Sequence, residues 1–182
     1  MIVMGLDNST DRVGVGIIED GKLIHYECIE LSKLIKEQEW YTEACDYLDR
    51  IMLLKEELKE RIQHHKVYAV ILEDTTLSSF GGKSSSNNVD VLKKLTKSLG
   101  NIEVMLLEMD IAFQTVLPSE WRAGKIKGSD RIAKKKAAIK YVNDKYGLDL
   151  QWKGDSSKYN DDDIAEAIML AEYGYNKLSK QP

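Results

Sequence analysis

Four acidic residues stand where a folded α/β chain could bring them together. Asp7 follows a short apolar run at the N-terminus, and Glu73 ends a second apolar run at 67–72. Asp163 and Glu166 lie three residues apart in a helical segment and therefore share one helix face. Carboxylates gathered at one point repel each other unless cations lie between them, and two divalent metals beside nucleic acid suit phosphodiester cleavage. These four residues are the candidate catalytic and metal-binding groups.

Each carboxylate also has an ordinary structural explanation. Asp7 could cap the turn that follows it, and the acidic first turn of the last helix complements the helix dipole. Glu166 is harder to explain in this way, because alanine and isoleucine residues surround it in the sequence. Asp74 follows Glu73 directly, so on a continuing strand its side chain points to the opposite face, and it is left out of the candidate set.

A basic segment lies between positions 122 and 140. It contains eight basic residues and one acidic residue, Asp130, although the whole chain has a net charge of −4. Such a local excess of positive charge suits contacts with phosphates. The alternative is a solvated amphipathic helix with Ile132, Ala133, Ala137 and Tyr141 facing inward. The candidate DNA-binding residues of this segment are Arg122, Lys125, Lys127, Arg131, Lys134 and Lys135.

Length and composition favour an ordinary globular protein. The 182 residues predict a single domain over 1–182, and 43% hydrophobic with 31% charged residues is typical of this class. The sequence has neither a run of about 18 apolar residues nor the features of a signal peptide. We therefore expect a cytoplasmic protein with no membrane partner. Cys28 and Cys45 are expected to be free thiols, because they lack metal-ligand spacing.

The hydrophobic pattern predicts the elements that must position the acidic residues. Strands are expected at 2–6, 13–18, 23–29, 67–72 and 102–107, with an Asp-Gly turn between the second and third. Helices are expected at 37–64, 89–99, 129–146 and 161–177, and a short one before Pro118. Crossover helices require the fourth and fifth strands to run parallel to the first. The prediction is an α/β fold with a five-stranded mixed sheet and helices on both faces.

In its motifs and their order, the sequence resembles RuvC-type Holliday junction resolvases, whose fold is ribonuclease-H-like. The resemblance implies the strand order 3-2-1-4-5. The segment Gly5 to Ile18 resembles the opening of that family: an aliphatic residue, the catalytic Asp, then Gly-x-Gly. Ile71 to Glu73 resembles the glutamate at a strand end, and Pro118 to Arg122 the segment whose basic residue contacts the scissile region. Asp162 to Ala167 resembles the Asp-x-x-Asp-Ala signature of the last helix. The resemblance covers nearly the whole chain.

The sequence departs from the family in three places. Glu166 stands where the family usually has Asp, and Asn-Ser replaces the Pro-Gly that usually follows the first Asp. Thr76 and Leu77 occupy the place of an aromatic residue that stacks at the junction. Phe80 is the nearest candidate for that DNA-binding role. The Lys-rich composition and divergent motifs are more similar to the phage branch, for which the host cytoplasm is the expected location.

The resemblance implies a Mg²⁺-dependent crossover junction endodeoxyribonuclease. Two Mg²⁺ ions, for which Mn²⁺ is expected to substitute, would be held by the four carboxylates, with one ion activating water and the other stabilising the leaving 3′ oxygen. The expected products are paired symmetric nicks with 5′ phosphates. The expected partner is four-way or branched DNA, bound by a homodimer that associates through the helix at 89–99.

Three other functions are compatible with parts of the sequence. A broader nuclease of the same fold would cut branched nucleic acid with little sequence preference. A non-catalytic junction-binding protein would use the basic segment alone. An actin- or Hsp70-like nucleotide-binding domain shares the strand-Asp-turn-strand opening, but such proteins close two domains on ATP, and 182 residues hold only one.

Overall fold

The computed structural model of the chain describes residues 1–74 and 86–180, with side chains from residue 89 in the second range. The strands are β1 (Ile2–Asn8), β2 (Arg12–Glu19), β3 (Lys22–Glu30), β4 (Ala69–Glu73) and β5 (Ala112–Val116). The helices are α1 (Leu31–Lys36), α2 (Tyr47–His65), α3 (Ser86–Glu108), α4 (Pro118–Arg122), α5 (Arg131–Tyr146) and α6 (Asp162–Leu178). The strands form one sheet in the order β3-β2-β1-β4-β5. This confirms the predicted α/β fold and strand order.

The central strand β1 separates two hydrophobic cores. It runs antiparallel to β2 and parallel to β4, which in turn runs parallel to β5. Met4 and Leu6 pack into the core that contains the buried residues of α2 and α3. Val3 packs into the opposite core, formed with α5 and α6. Because side chains alternate along a strand, Asp7 lies on the same face as Val3, towards α6.

The predicted hairpin between β2 and β3 is confirmed. Asp20 and Gly21 occupy the turn with φ angles of 47° and 81°. Two consecutive positive φ angles are typical of the type I′ turn, whose twist matches that of the flanking strands.

The helix predicted at 37–64 begins only at Tyr47, as α2, and a separate short helix that was not predicted, α1, precedes this segment. Asp46 begins α2, because its side chain accepts hydrogen bonds from the main-chain nitrogens of Leu48 and Asp49 at 2.6 and 3.4 Å. Trp40, within the predicted helix, precedes α2 and is 51% exposed. The helical spacing holds only for the later apolar positions of the segment, which are buried: Ile51, Leu54, Leu58 and Ile62.

The fifth strand lies later in the chain than predicted. The segment 102–107 belongs to α3, and Ile102, Met105 and Leu106 are buried at helical spacing. A short apolar run does not distinguish a buried strand from a buried helix, which is why this prediction was wrong. Gly100 does not end the helix, since α3 continues through it to Glu108. The actual strand is β5, in the place of the predicted short helix before Pro118.

The basic helix α5 differs from its prediction in its start and its buried face. Asp130, not Ser129, is the N-cap, and its carboxylate accepts from the nitrogen of Ala133 at 2.9 Å. The buried residues are Ala138, Ile139 and Val142. The predicted inward face was wrong at Ile132, which is exposed, whereas Tyr141 does pack against the core.

The two cysteines, Cys28 and Cys45, are free thiols, as predicted, but both are partly exposed. None of the helices in the described ranges is long and apolar enough to cross a membrane.

Candidate active site

Asp7 and Glu73 come together because they end two neighbouring parallel strands. The register of β1 and β4 places Leu6 beside Leu72, so the residue that follows each of them lies at the same edge of the sheet. Ile71 belongs to the core on the α6 side, and Glu73 follows it at a spacing of two. Both carboxylates therefore project from the same face of the sheet, beneath α6.

Glycines on β1 and β2 allow α6 to lie close to that face. A Cβ on Gly5 would lie 2.2 Å from the main-chain oxygen of Ala167, and one on Gly14 would lie 1.9 Å from the main-chain oxygen of Asp163. No side chain fits in either gap. The close approach brings Glu166, on the facing side of α6, down to the two strand-end carboxylates.

Asp7, Glu73 and Glu166 form an acidic trio. One carboxylate oxygen from each lies within 4.8 Å of the others. Glu166 is only 3% exposed, and the buried Oε2 of Glu73 has no hydrogen-bond partner among the described residues. A set of converging carboxylate oxygens with an unpaired buried atom fits a hard cation such as Mg²⁺, which prefers oxygen ligands.

The protonation of the trio shows the cost of holding these charges together. Burial, followed by repulsion from Glu166 and Glu73, raises the pKa of Asp7 well above its ordinary value. Burial and the charge of Glu166 raise the pKa of Glu73 to about 7. Burial also raises the pKa of Glu166, against the opposing effect of Arg122. A cation between these oxygens would therefore stabilise the ionised trio, which otherwise retains protons at unusually high pH.

Asp163 lines the same cleft but lies outside the trio. Its Oδ2 accepts a hydrogen bond from Nε of Arg12 at 2.9 Å. Burial raises the pKa of Asp163, and Lys135 and Arg12 oppose that rise. The four predicted carboxylates thus share one cleft, with three converging and the fourth held at its side by an arginine.

Arg122 sits over the acidic trio on a rigid support. Trp121 is fully buried, as expected of a core tryptophan, and the Cζ of Arg122 lies 4.3 Å from the centre of its ring. The Nη2 of Arg122 forms an ion pair with Oε1 of Glu166 and lies 3.9 Å from Oε2 of Glu73. The stacked guanidinium is thereby oriented towards the carboxylates.

Further basic side chains line the cleft, which encloses about 640 Å³. Arg131 and Lys134 are exposed on the first turns of α5, and Lys135 lies deeper. Lys135 forms an ion pair with Asp162, which is 6% exposed. Burial lowers the pKa of Lys135, but the charges of Glu166 and Asp162 outweigh it and raise the pKa overall. Lys135 is therefore cationic beside the trio.

The remaining candidate DNA-binding residues lie elsewhere. Lys125 turns away from the cleft, and its Nζ bonds to Oε1 of the buried Glu172 at 2.7 Å. This carboxylate already neutralises Lys125, which weighs against the predicted phosphate contact. Lys127 is exposed outside the cleft lining. Phe80 lies outside the described residues.

Sequence reasoning missed several residues of the cleft. Asp74 was excluded because alternation would point it away, but β4 ends at Glu73, and Asp74 lines the cleft while its nitrogen bonds to the oxygen of Val116 at 2.8 Å. Arg12 carried no signal, because a basic residue at the start of a strand is common. Asp162 was interpreted as a dipole residue, whereas it is the buried partner of Lys135.

Comparisons with known proteins agree at the level of structure. No family model and no curated protein sequence matches the chain. Thermus thermophilus RuvC in complex with a Holliday junction substrate matches with a TM-score of 0.66 and 16% identity, covering 98% of this chain and 96% of that one. Fowlpox virus resolvase in complex with Holliday junction DNA matches with a TM-score of 0.59 and 18% identity. The match covers 99% of this chain and 100% of that one. The yeast mitochondrial Holliday junction resolvase matches with a TM-score of 0.59 and 13% identity. The match covers 94% of this chain and 76% of that one.

The matched proteins span nearly the whole chain and share its sheet. At these identities the likeness establishes the fold, and the resemblance seen in the sequence motifs is confirmed at that level. The chain has the fold of the RuvC-type Holliday junction resolvases.

Proposed function

We propose that this chain is a Mg²⁺-dependent endonuclease that resolves four-way junctions and other branched DNA. The observation that carries the proposal is the convergence of Asp7, Glu73 and Glu166 within 4.8 Å, in a cleft that basic side chains line. When bound, two Mg²⁺ ions would supply an activated water and stabilise the leaving 3′ oxygen. The products would be 5′ phosphates.

The residues of the cleft divide into two roles. The acidic trio and Asp163 would hold the metal ions. Arg131 and Lys134, which are exposed at the mouth of the cleft, would contact the phosphates of the substrate. Phosphate contacts position a nucleic acid without reading its sequence, so we expect selection for branched shape at this surface.

A non-catalytic junction-binding protein of the same fold is the main alternative. Such a protein would gain nothing from three buried or half-buried carboxylates beside the phosphate path, because they repel the substrate and raise each other's pKa. The acidic trio is therefore better explained by a metal-dependent reaction than by binding alone.

A cleavage assay tests the proposal. Four-way, Y-shaped and linear DNA of the same sequence would be incubated with the protein in Mg²⁺, Mn²⁺ or EDTA. We expect paired nicks in the four-way substrate with either metal and none in EDTA. Equal cutting of every branched substrate would favour the broader nuclease, and cutting in EDTA would contradict the proposal.

Two variants sharpen the assay. Asp7→Asn should abolish cleavage but bind the junction as tightly as the wild type or more tightly, because it removes a negative charge near the phosphates. Asp144→Asn is the matched control, since that acid is exposed on α5 and pairs with Lys140 outside the cleft. An Asp7→Asn protein that cuts at nearly the wild-type rate would remove Asp7 from the mechanism.

We also propose that the active species is a homodimer. A four-way junction has two equivalent strands to cut, and a twofold pair of sites matches that symmetry. The interface was predicted on the helix at 89–99, which is part of α3. Exposed apolar side chains on α3 and on α2 support a protein interface there: Val89 at 41%, Val104 at 51%, Leu107 at 68% and Met52 at 57%. Light scattering should give a dimer for the wild type and a monomer for Met52→Glu with Leu107→Glu. A wild-type monomer would contradict the proposal.

A further inference from the structure

The side chain of Arg12 joins four parts of the fold at the edge of the cleft. It lies at the start of β2, and its side chain is 12% exposed. Its Nε donates to Oδ2 of Asp163 at 2.9 Å, its Nη1 to Oε1 of Glu30 at 3.3 Å, and its Nη2 to the main-chain oxygen of Asn160 at 3.2 Å. These bonds tie β2 and the end of β3 to the first turn of α6.

The bond to Asp163 determines where that carboxylate lies. Asp163 lines the cleft with the acidic trio, yet it does not belong to the set whose oxygens converge within 4.8 Å. Arg12 occupies Oδ2, which leaves Oδ1 as the oxygen of Asp163 that can bind a metal. A rigid guanidinium fork fixes the orientation of a carboxylate more closely than an ammonium group does.

We propose that Arg12 is a positioning residue that holds Asp163 in place for a metal position beside Asp7, distinct from the position formed by the acidic trio. This inference rests on the proposed function, because it takes the cleft to be a metal site. Hydrogen-bond partners behind a ligand fix its orientation, and their loss typically costs about 10- to 100-fold in metal affinity or activity. Arg12 therefore controls one metal position and not the other.

The two possible effects of Arg12 have opposite signs. If it positions Asp163, any change that loses the fork weakens metal binding. If it acts only as a positive charge that competes with the metal, removal of that charge strengthens binding. Arg12→Lys keeps the charge and loses the fork, whereas Arg12→Gln loses both.

Direct Mn²⁺ binding, followed by electron paramagnetic resonance without DNA, separates these cases. We expect two Mn²⁺ ions to bind the wild type, and both variants to weaken one of them by about 10- to 100-fold with the other unchanged. Tighter binding by Arg12→Gln would show a competing charge. Unchanged binding in both variants, with a lower urea midpoint, would leave Arg12 a purely structural role, and a single Mn²⁺ in the wild type would also overturn the inference.

Controls distinguish a failure of this inference from a failure of the proposed function. Arg61→Gln removes a comparably buried arginine that pairs with Glu27 and Glu57 outside the cleft, and it should leave Mn²⁺ binding unchanged. Asp163→Asn should lose the same Mn²⁺ ion, and adding Arg12→Gln to it should cost no more, because Arg12 acts through Asp163. Additive losses would overturn the positioning role. An Asp163→Asn protein with wild-type binding would instead remove Asp163 from the proposed metal site.

Discussion

Gly14 on β2 lies so close to the main chain of Asp163 on α6 that no residue with a side chain fits at position 14. A Cβ at position 14 would lie 1.9 Å from the oxygen of Asp163 and 2.4 Å from its carbonyl carbon. The obstacle is backbone rather than a flexible side chain, so the helix itself would have to move. The height of α6 above the sheet, and with it the position of Glu166, depends on this glycine.

We therefore expect Gly14→Ala to damage the cleft and the fold together. The overpacking should lower the free energy of unfolding by about 3 kcal/mol and raise the Mg²⁺ concentration needed for cleavage. Urea denaturation and a Mg²⁺ titration of activity would measure the two effects. Gly100→Ala is the control, since a Cβ there meets nothing within 4 Å. It should stabilise α3 by about 0.5–1 kcal/mol without affecting the metal requirement.

The stability of the metal-free protein should fall as the pH rises. The folded protein holds the pKa of Glu73 at about 7, above its ordinary value of 4.5, so the native state binds a proton that the unfolded chain has already lost. Stability from this group is full below about pH 4.5 and disappears as the pH passes 7. Urea midpoints in EDTA between pH 5 and 8 should show the decline, and Mg²⁺ should reverse it at pH 8.

Glu73→Gln removes this group together with its repulsion of Asp7, so its difference from the wild type measures the coupled carboxylates of the trio. Burial lowers the pKa of His65, which gives an opposite slope as the pH passes its ordinary value of 6.5. The difference between the wild type and Glu73→Gln cancels that contribution. If the two proteins have the same pH dependence, Glu73 is not the group that retains the proton.

Glu166, where the sequence departs from the family, should affect rate more than stability. Glu166→Gln keeps the shape but removes a charge from the trio, so we expect cleavage to fall by about 100-fold or more. The lost ion pair with Arg122 is offset by reduced repulsion, and the free energy of unfolding should change by about 1 kcal/mol. Glu166→Asp keeps the charge but places its oxygens one methylene farther from the metal position. It should therefore retain measurable activity, and the larger Mn²⁺ should improve that activity.

Glu172→Gln is the matched control on the same helix. This carboxylate is 4% exposed and pairs with Lys125 and Lys145, away from the cleft. Its loss should lower stability without changing the dependence of cleavage on Mg²⁺. Full activity in Glu166→Gln would leave Asp163 as the metal-binding carboxylate of α6.

Exposed basic residues of the cleft should determine the salt dependence of DNA binding. Replacing Arg131 and Lys134 with alanine should weaken binding to all junction sequences alike. The slope of log affinity against log salt should fall in magnitude by about 0.9 for each lost phosphate contact. Lys140→Ala is the control, because that residue is on the same helix but pairs with Asp144 outside the cleft. An unchanged slope in the double variant would make α5 an ordinary solvated helix.

The sequence by itself determined which elements carry the acidic residues. Apolar runs that end in Asp7 and Glu73 identified two strands, crossover helices required these strands to be parallel, and the family resemblance implied the strand order that the sheet has. The Asp-Gly turn predicted the hairpin, because that dipeptide adopts two positive φ angles readily. These features are local, so they can be recognised without knowing what packs against them. The extent of α3 could not be recognised in this way, because the apolar run from Ile102 to Leu107 is compatible with either a strand or a buried helix.

Only the tertiary structure decided how the charged side chains pair. The sequence grouped four carboxylates and one basic segment, whereas the fold holds Asp163 apart on Arg12 and pairs Glu166 with Arg122. It also turns Lys125 towards Glu172, 47 residues away. Such pairings depend on how closely α6 approaches the sheet and on which face of α5 is buried. Both are set by contacts between residues far apart in the chain, and those contacts leave no local pattern in the sequence.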